Sequence, residues 1–348
     1  MDKIIQSPAF LVRVACMSYN HSAYINNALE GIALQETDFP FVATIIDDAS
    51  PDGSAGVIMD FFHNHFDTAE SEIAYERDEP HGHVAFARHK TNPNCFFAVI
   101  CLNENHYQRG KSKYSYIREW ADTKYFALCE GDDYWTSPSK LQKQVNYLES
   151  HPDCTLTFHN ALIHWYNSNT PDKIFTDLEE RDYSGCELCK KWQVPTASIV
   201  CRTEMLEGYG KMFQKFPSIG GDTPLVIQCA NNGTVHAFPE VMCVYGKHPD
   251  SWTQFDDARK TLIHGVSWEK RSKVFGQALR NVTLENAVGL YNLAIVRGIR
   301  QKDYKTALKA FRRSFINHPL LATKAVLRIS GDKFFHLLHP SSKRIEKN

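Results

Sequence analysis

The chain is 348 residues long, 43 % hydrophobic and 23 % charged, with 39 Lys/Arg against 40 Asp/Glu and a formal net charge of −1. Those proportions fit an ordinary globular protein, with room for one domain of roughly 200–250 residues and a smaller module. No run approaches the roughly 18 apolar residues of a membrane span, so no membrane-spanning helix is expected. No nucleic-acid partner is expected.

At the N-terminus, MDKIIQSPAFLVRVAC has only a short apolar run and no small-residue cleavage site. No secretory leader is therefore expected, and the expected location is cytoplasmic. FLVRVACM (10–17) is apolar and β-branched and reads as a buried strand. SYNHSAY turns the chain, and INNALEGIALQ sets Ile25, Leu29, Ile32 and Ala33 on one helical face. FVATII (41–46) is a second buried strand, and DDASPDGS carries the turn and cap chemistry for a helix starting near Ser54. Residues 63–94 are polar and contain Pro80, Gly82, His81, His83 and His89. They read as an inserted loop or hairpin, a candidate flap over a site, with the histidines solvated.

CFFAVICL (95–102) resumes as a strand, SKYSYIREWAD reads as a helix, and KYFALC (124–129) is a strand running into CEGDDYW. PSKLQKQVNYLESHP places Leu141, Val145 and Leu148 on a helical face, with Pro152 beyond its end. CTLTFHNALIHWY and TASIVCR (196–202) are strand patterns. Cys186 and Cys189 form a lone C-x-x-C with no second pair to complete a zinc site, so the ten cysteines read as reduced thiols. DTPLVIQCANNG reads as a helix stopped by Gly233. From about residue 255 the texture is helical throughout. There KDYKTALKAFRRSFINHP resembles one helix of a tetratricopeptide-type pair, a single match where arrays need about three units. Strands alternating with helices predict an α/β sheet with parallel strands.

Ligands of open α/β sheets bind beyond the carboxyl ends of the strands. Three such ends carry polar clusters: Ser18-Tyr19-Asn20, Asp47-Asp48 and Glu130-Gly131-Asp132-Asp133. Asp47-Asp48 alone would more often be turn residues. Brought to one rim, the three clusters suit a divalent cation and a nucleotide, because Mg²⁺ or Mn²⁺ takes one or two carboxylates plus phosphate oxygens. Glu130 and Asp132 point to one side of an extended chain, and Gly131 lets the backbone come close to a ligand.

SYNHSAYINNALEGIALQ, IIDDASPDGS, ENHYQRGKSK and KYFALCEGDDYWTSPSKLQKQVNYLESHP, in this order, resemble an inverting family 2 glycosyltransferase of bacterial surface-glycan type. The resemblance covers roughly residues 10–252. It implies a GT-A fold over 1–254, a Rossmann-like mixed sheet flanked by helices, followed by a basic helical region over 255–348. It implies that Tyr19 stacks on the nucleotide base, beside Ser18 and Asn20, and that Asp47 or Asp48 reads the base. Asn105 and Arg109 would contact base or phosphate. Asp132 and Asp133 would hold ribose and metal, with Asp133 the first ligand and Glu130 the alternative. GGDTPL stands where the family places a catalytic carboxylate opening a helix, so Asp222 is the implied base, although the same Asp would serve as an N-cap. Gly221 stands where an acidic neighbour is common in the family. In VYGKHPDSW, His248 would reach metal or diphosphate, Lys247 the diphosphate and Trp252 the sugar. Thr196 and Ser198 would lie on the acceptor side, and Trp135 on the sugar side of the rim.

The activity implied is transfer from a nucleotide-diphospho sugar, a UDP-sugar by family habit, to a glycan or lipid-linked acceptor, with Mn²⁺ or Mg²⁺. Two other readings stand beside it. A sugar-nucleotidyltransferase would want a Gly-rich basic loop after the first strand, which CMSYNHSAY lacks. A non-catalytic nucleotide-sugar binder or scaffold would have little need of the acidic clusters. Residues 256–348 carry 19 Lys/Arg against 7 Asp/Glu, leaving 20 against 33 in the rest. Such a tail is either solvated helix faces, a dimer contact, or a peripheral contact with an anionic membrane on its cytoplasmic face.

Overall fold

The computed structural model describes residues 9–69, 73–119, 122–215, 221–248, 257–317 and 319–320. Its elements begin β1 (Val12–Ser18), α1 (Ile25–Ala33), β2 (Phe41–Asp47), α2 (Ser54–His65), β3 (Tyr75–Glu79), β4 (Gly82–Arg88) and β5 (Cys95–Leu102). Next come α3 (Tyr114–Glu119), β6 (Tyr125–Leu128), β7 (Tyr134–Trp135), α4 (Lys140–Ser150), β8 (Cys154–Trp165), β9 (Lys173–Ile174), β10 (Arg181–Asp182) and α5 (Gly185–Lys190). A 3-10 turn (Thr196–Ser198), β11 (Val200–Arg202), α6 (Met205–Lys215), α7 (Asp222–Ala230) and β12 (Thr234–Lys247) follow. Three helices end the described chain: α8 (Ala258–Arg271), α9 (Gln277–Arg300) and α10 (Tyr304–Asn317).

The chain clusters into two compact units. The first comprises Met1–Leu188, Trp192–Lys211 and Leu225–Ser251, and the second Cys189–Lys191, Met212–Pro224 and Trp252–Asn348. In the first, one mixed sheet runs β10-β12-β8-β11-β6-β1-β2-β5-β4-β3, with β7 on β12 and β9 on β8. Strands β6, β1, β2 and β5 are mutually parallel, so their carboxyl ends share one edge. Alternation along the strands feeds two cores. Val12, Val14, Cys16, Phe41, Ala43 and Ile45 pack with Ile25, Leu29, Ile58, Phe62, Leu141 and Val145 of α1, α2 and α4. Ala15, Ile46, Ile100 and Phe126 pack on the opposite face with Ile117, Leu188, Leu206 and Val226. The predicted face of α1 is the one buried, and each wholly buried Leu or Ile contributes roughly 1.5–3 kcal/mol.

Of the loop or hairpin expected within 63–94, the hairpin is what forms: α2 continues through His65, and β3–β4 is a hairpin whose inner strand pairs with β5 from Gly82–Leu102 to Arg88–Phe96. Alternate residues of β4 supply the apolar surface (Val84, Phe86) that polar neighbours hide from a composition-based reading. The strand expected over 196–202 is strand only from Val200, because the Ser198 hydroxyl and N–H both turn back to the Pro195 carbonyl.

In the second unit α8, α9 and α10 pack around Ala287, Tyr291, Ala294 and Ala310. The Tyr291 hydroxyl donates to Glu269 at 2.5 Å, and Arg313 pairs with the same carboxylate at 2.9 Å. Among the described residues no helix is long and apolar enough to cross a membrane.

Candidate functional site

The parallel edge brings together the ends of β1, β2, β5 and β6. Asp48 N–H donates to the Ser18 carbonyl at 2.9 Å, which ties the first two ends. Ser18 is buried, and its Oγ has no hydrogen-bond partner among the described residues. Asn20 takes a left-handed backbone (φ 59°) and donates its N–H to Ser50 Oγ at 3.1 Å. Tyr19 is half-buried, its hydroxyl 3.5 Å from Gln108 Nε2.

The two β2 aspartates have different surroundings. Asp47 accepts Ser50 N–H at 2.9 Å and the Ser50 hydroxyl at 2.5 Å. Burial holds its carboxyl above the usual range despite those bonds, and Asp52 and Asp48 push the same way. Asp48 accepts His106 N–H at 2.7 Å, Tyr107 N–H at 3.1 Å and Lys113 Nζ at 2.6 Å. Its burial is outweighed by the Lys113 bond and those N–H groups, so its pKa is lowered. Asp48 is thus a clamp on the 104–113 loop, a role the sequence reading missed because Lys113 lies 65 positions away. Asn105 Nδ2 donates to the Asp48 carbonyl at 3.0 Å, whereas Arg109 is exposed and pairs with Glu104 at 2.9 Å. Asp52 accepts Ser54 N–H at 3.0 Å and Ser22 N–H at 2.9 Å. Burial raises its carboxyl, but these bonds and the Ser54 hydroxyl bring it down to about 2.

At the end of β6 the acidic turn is held from two sides. Gly131 N–H donates to the Met17 carbonyl at 2.9 Å, and a Cβ at Gly131 would stand 2.8 Å from His21 Nδ1. On the other side β7 pairs antiparallel with β12, Tyr134 opposite Val244. That pairing sets Gly246 against the turn so closely that a Cβ there would meet the Asp132 carbonyl at 2.1 Å. Gly246 N–H donates to Asp133 Oδ1 at 2.9 Å. Asp133, expected as first metal ligand, is therefore buried, 2 % exposed, with a carboxyl in the core. Burial, then Asp132 and Glu130, drive its pKa well up, against the Gly246 bond.

The carboxylate that faces the site is Asp132, with His248 Nε2 at 3.2 Å from its Oδ2. One ligand atom each from His21, Asp132 and His248 lie within 4.8 Å of one another, close enough to converge on one ion. His21 was not foreseen. It directly follows Asn20 at a strand end, which is the signal that would have found it. Its Nδ1 is buried with no partner among the described residues. Burial holds its imidazole below the ordinary value, only partly offset by Asp132. A carboxylate with two imidazoles fits a divalent transition-metal cation, for which imidazole nitrogen and carboxylate oxygen both serve as donors.

The remaining expected residues have the following surroundings. Trp135 is in the core, its Nε1 donating to the Ala197 carbonyl at 2.8 Å and Lys140 Nζ 4.0 Å from the ring, so no face is left for a sugar. Ser198 is wholly buried, donating to the Pro195 carbonyl at 2.6 Å, while Thr196 is half-buried. Glu130 is half-buried in the turn, its carbonyl accepting Asp133 N–H at 3.1 Å. Lys247 ends β12 with its Nζ over Trp165 at 5.6 Å. Asp222 opens α7 in the second unit's 212–224 segment, and its Oδ1 accepts Thr223 N–H at 2.6 Å. Trp252 lies outside the described residues. His83 pairs with Asp78 at 2.8 Å, His81 stacks on Tyr116, and His89 accepts Asn92 N–H; no metal group forms from these three among the described residues.

The architecture matches solved proteins. TarS residues 1–349 of S. aureus, in complex with UDP-GlcNAc, superpose with a TM-score of 0.52 at 12 % identity over 90 % of this chain and 91 % of that one. The chain has the GT-A glycosyltransferase fold. The mannosyltransferase PcManGT from Pyrobaculum calidifontis, in complex with GDP-Man and Mn²⁺, gives 0.50 at 15 % identity over 93 % of this chain and 82 % of that one. Uncharacterized proteins of Mycobacterium tuberculosis and Mycobacterium bovis are each 29 % identical over 315 residues, 88 % of this chain and 80 % of the relative. No family model matches the chain.

Proposed function

We propose that the protein is a metal-dependent, inverting family 2 glycosyltransferase that uses a nucleotide-diphospho sugar, with a UDP-sugar as the first donor to test. The carrying observation is the convergence of Asp132 and His248 at the carboxyl edge of four adjacent strands. Support also comes from two neighbours of the same fold, one in complex with UDP-GlcNAc and one with GDP-Man and Mn²⁺. In this reading Ser18, Tyr19 and Asn20 receive base and ribose beside Asp47, with Asn105 and Arg109 at the loop that Asp48 clamps. Asp132 and His248 hold the cation. A bound divalent ion neutralises charge on the departing diphosphate. Asp222 takes the acceptor proton as the hydroxyl oxygen attacks the anomeric carbon and the bond to diphosphate breaks. The acceptor is a surface glycan or lipid-linked sugar.

The test is a thermal-shift screen with UDP-, GDP-, dTDP- and CMP-sugars with and without Mn²⁺, since a ligand that binds the native state raises the melting point. Turnover of the stabilising donor is then measured. Asp132→Ala should abolish Mn²⁺-dependent turnover. Asp222→Asn should keep donor binding while transfer falls at least ~10²-fold, the lower range for general-base loss. Turnover by Asp132→Ala equal to wild type would sink the reading.

A separate observation favours a membrane-surface location. On α10, Thr306, Ala307, Ala310 and Ser314 are buried, while Tyr304, Leu308, Phe315 and Ile316 are exposed beside exposed Lys305, Lys309 and Arg312. The helix contains no acidic residue. We infer that this face lies on an anionic bilayer, where apolar side chains enter the interface and cations meet lipid headgroups. A homodimer contact is the competing use of the same face.

A further inference from the structure

We propose that His21 is a third protein ligand of the cation held by Asp132 and His248, and that the two imidazoles make the site select a transition ion such as Mn²⁺ over Mg²⁺. The inference rests on the metal site of the proposed function and extends it to a residue outside the acidic motif and the late histidine. Two observations carry it. Its ligand atom shares the 4.8 Å cluster with Asp132 and His248. The Nδ1 atom is buried without a hydrogen-bond partner among the described residues, and leaving such a group unpaired costs about 1–3 kcal/mol.

The chain also fixes where the ring stands. His21 N–H donates to Ser54 Oγ at 3.0 Å, and its carbonyl accepts Tyr24 N–H at 2.9 Å and Ile25 N–H at 2.8 Å. Ser54 is itself held by Asp52 Oδ1 at 2.6 Å, so the α2 start braces the loop. Only a residue without a side chain at 131 leaves room for the imidazole. The His21 and His248 rings are 5.9 Å apart at 79°, and Tyr24 stacks on His248 at 4.9 Å, restricting the second ring. Mg²⁺ takes oxygen ligands and keeps several waters, whereas the first-row transition ions, of which Mn²⁺ binds most weakly, also accept imidazole nitrogen. An oxygen ligand in place of the His21 nitrogen would leave the two ions closer in affinity.

Full-length protein stripped with EDTA is titrated with Mn²⁺ and with Mg²⁺, without nucleotide, by calorimetry and by the electron paramagnetic resonance of free Mn²⁺. Wild type should bind Mn²⁺ more tightly than Mg²⁺. His21→Ala should weaken Mn²⁺ at least about tenfold, comparable to the lower loss seen when a metal site's support is removed, with little change for Mg²⁺. Pulsed resonance on wild-type Mn²⁺ protein should show two coupled imidazole nitrogens, a readout that needs no variant to fold. One coupled nitrogen, or His21→Ala binding Mn²⁺ like wild type while Asp132→Ala does not, overturns the role of His21 and leaves the metal site standing. Wild type binding no Mn²⁺ overturns both.

Discussion

Replacing Asp48 with Ala separates a structural clamp from a base-reading residue. The variant strands three donors at once: two backbone N–H groups, His106 at 2.7 Å and Tyr107 at 3.1 Å, and the Lys113 ammonium at 2.6 Å. The Asp48 side chain is 1 % exposed and that of Lys113 18 %. A stranded buried donor costs about 1–3 kcal/mol and half of a broken buried pair about 3–5 kcal/mol. These losses overlap, because Lys113 can turn to water, so about 3–5 kcal/mol is expected in total. At about 2–4 °C per kcal/mol for a domain of this size, the melting point should fall by roughly 6–20 °C. The pH dependence has a fixed sign. The folded pKa is lowered, so the clamp's contribution is complete above the unfolded value near 3.9 and is lost as pH falls through the folded value. Differential scanning calorimetry should therefore show a full gap between wild type and Asp48→Ala at pH 7 and a shrinking one below about pH 4. A variant that melts within about 2 °C of wild type, less than 1 kcal/mol, but loses nucleotide affinity would refute the clamp and return Asp48 to the base.

Asp133→Asn keeps an acceptor for Gly246 N–H, so Mn²⁺ affinity by calorimetry should change less than about tenfold, 1.4 kcal/mol, while Asp132→Asn loses it; the reverse order would make Asp133 the ligand. Lys140 is wholly buried, its Nζ has no hydrogen-bond partner among the described residues, and burial pushes its pKa down to about 7. Since the unfolded amine titrates near 10.4, the unfolded state holds more protons between these values, and stability rises with pH there. Lys140→Met should remove that slope and raise the melting point more at pH 6 than at pH 9; an equal change at both would show that the amine stays charged in the fold. For α10, flotation of the full chain with vesicles containing phosphatidylserine should fall sharply in Leu308→Glu/Phe315→Glu, and with added salt in wild type, since each nearby cation contributes about 1 kcal/mol. Salt-independent absence of binding, with a light-scattering mass that halves in the variant, would assign the face to a dimer.

What local chemistry decides could be read from the sequence. Apolar runs such as FVATII and CFFAVICL become β2 and β5, and the 3.6-residue spacing of Ile25, Leu29 and Ile32 becomes the buried face of α1, because period and composition are properties of near neighbours. The polar strand ends were legible for the same reason, and parallel strands brought them to one edge. The choice between neighbouring carboxylates was not legible. Asp132 faces the site and Asp133 the core because β12, more than 100 residues later, presses Gly246 against the turn. The same pairing puts Trp135 inside and brings His248 to Asp132, and the α2 start braces His21 toward them. In CEGDDYW the sequence alone determined that charge collects at the end of a buried strand. Only the tertiary structure decided which charge is available to a ligand, because burial and backbone hydrogen bonding are set by segments far away in the chain.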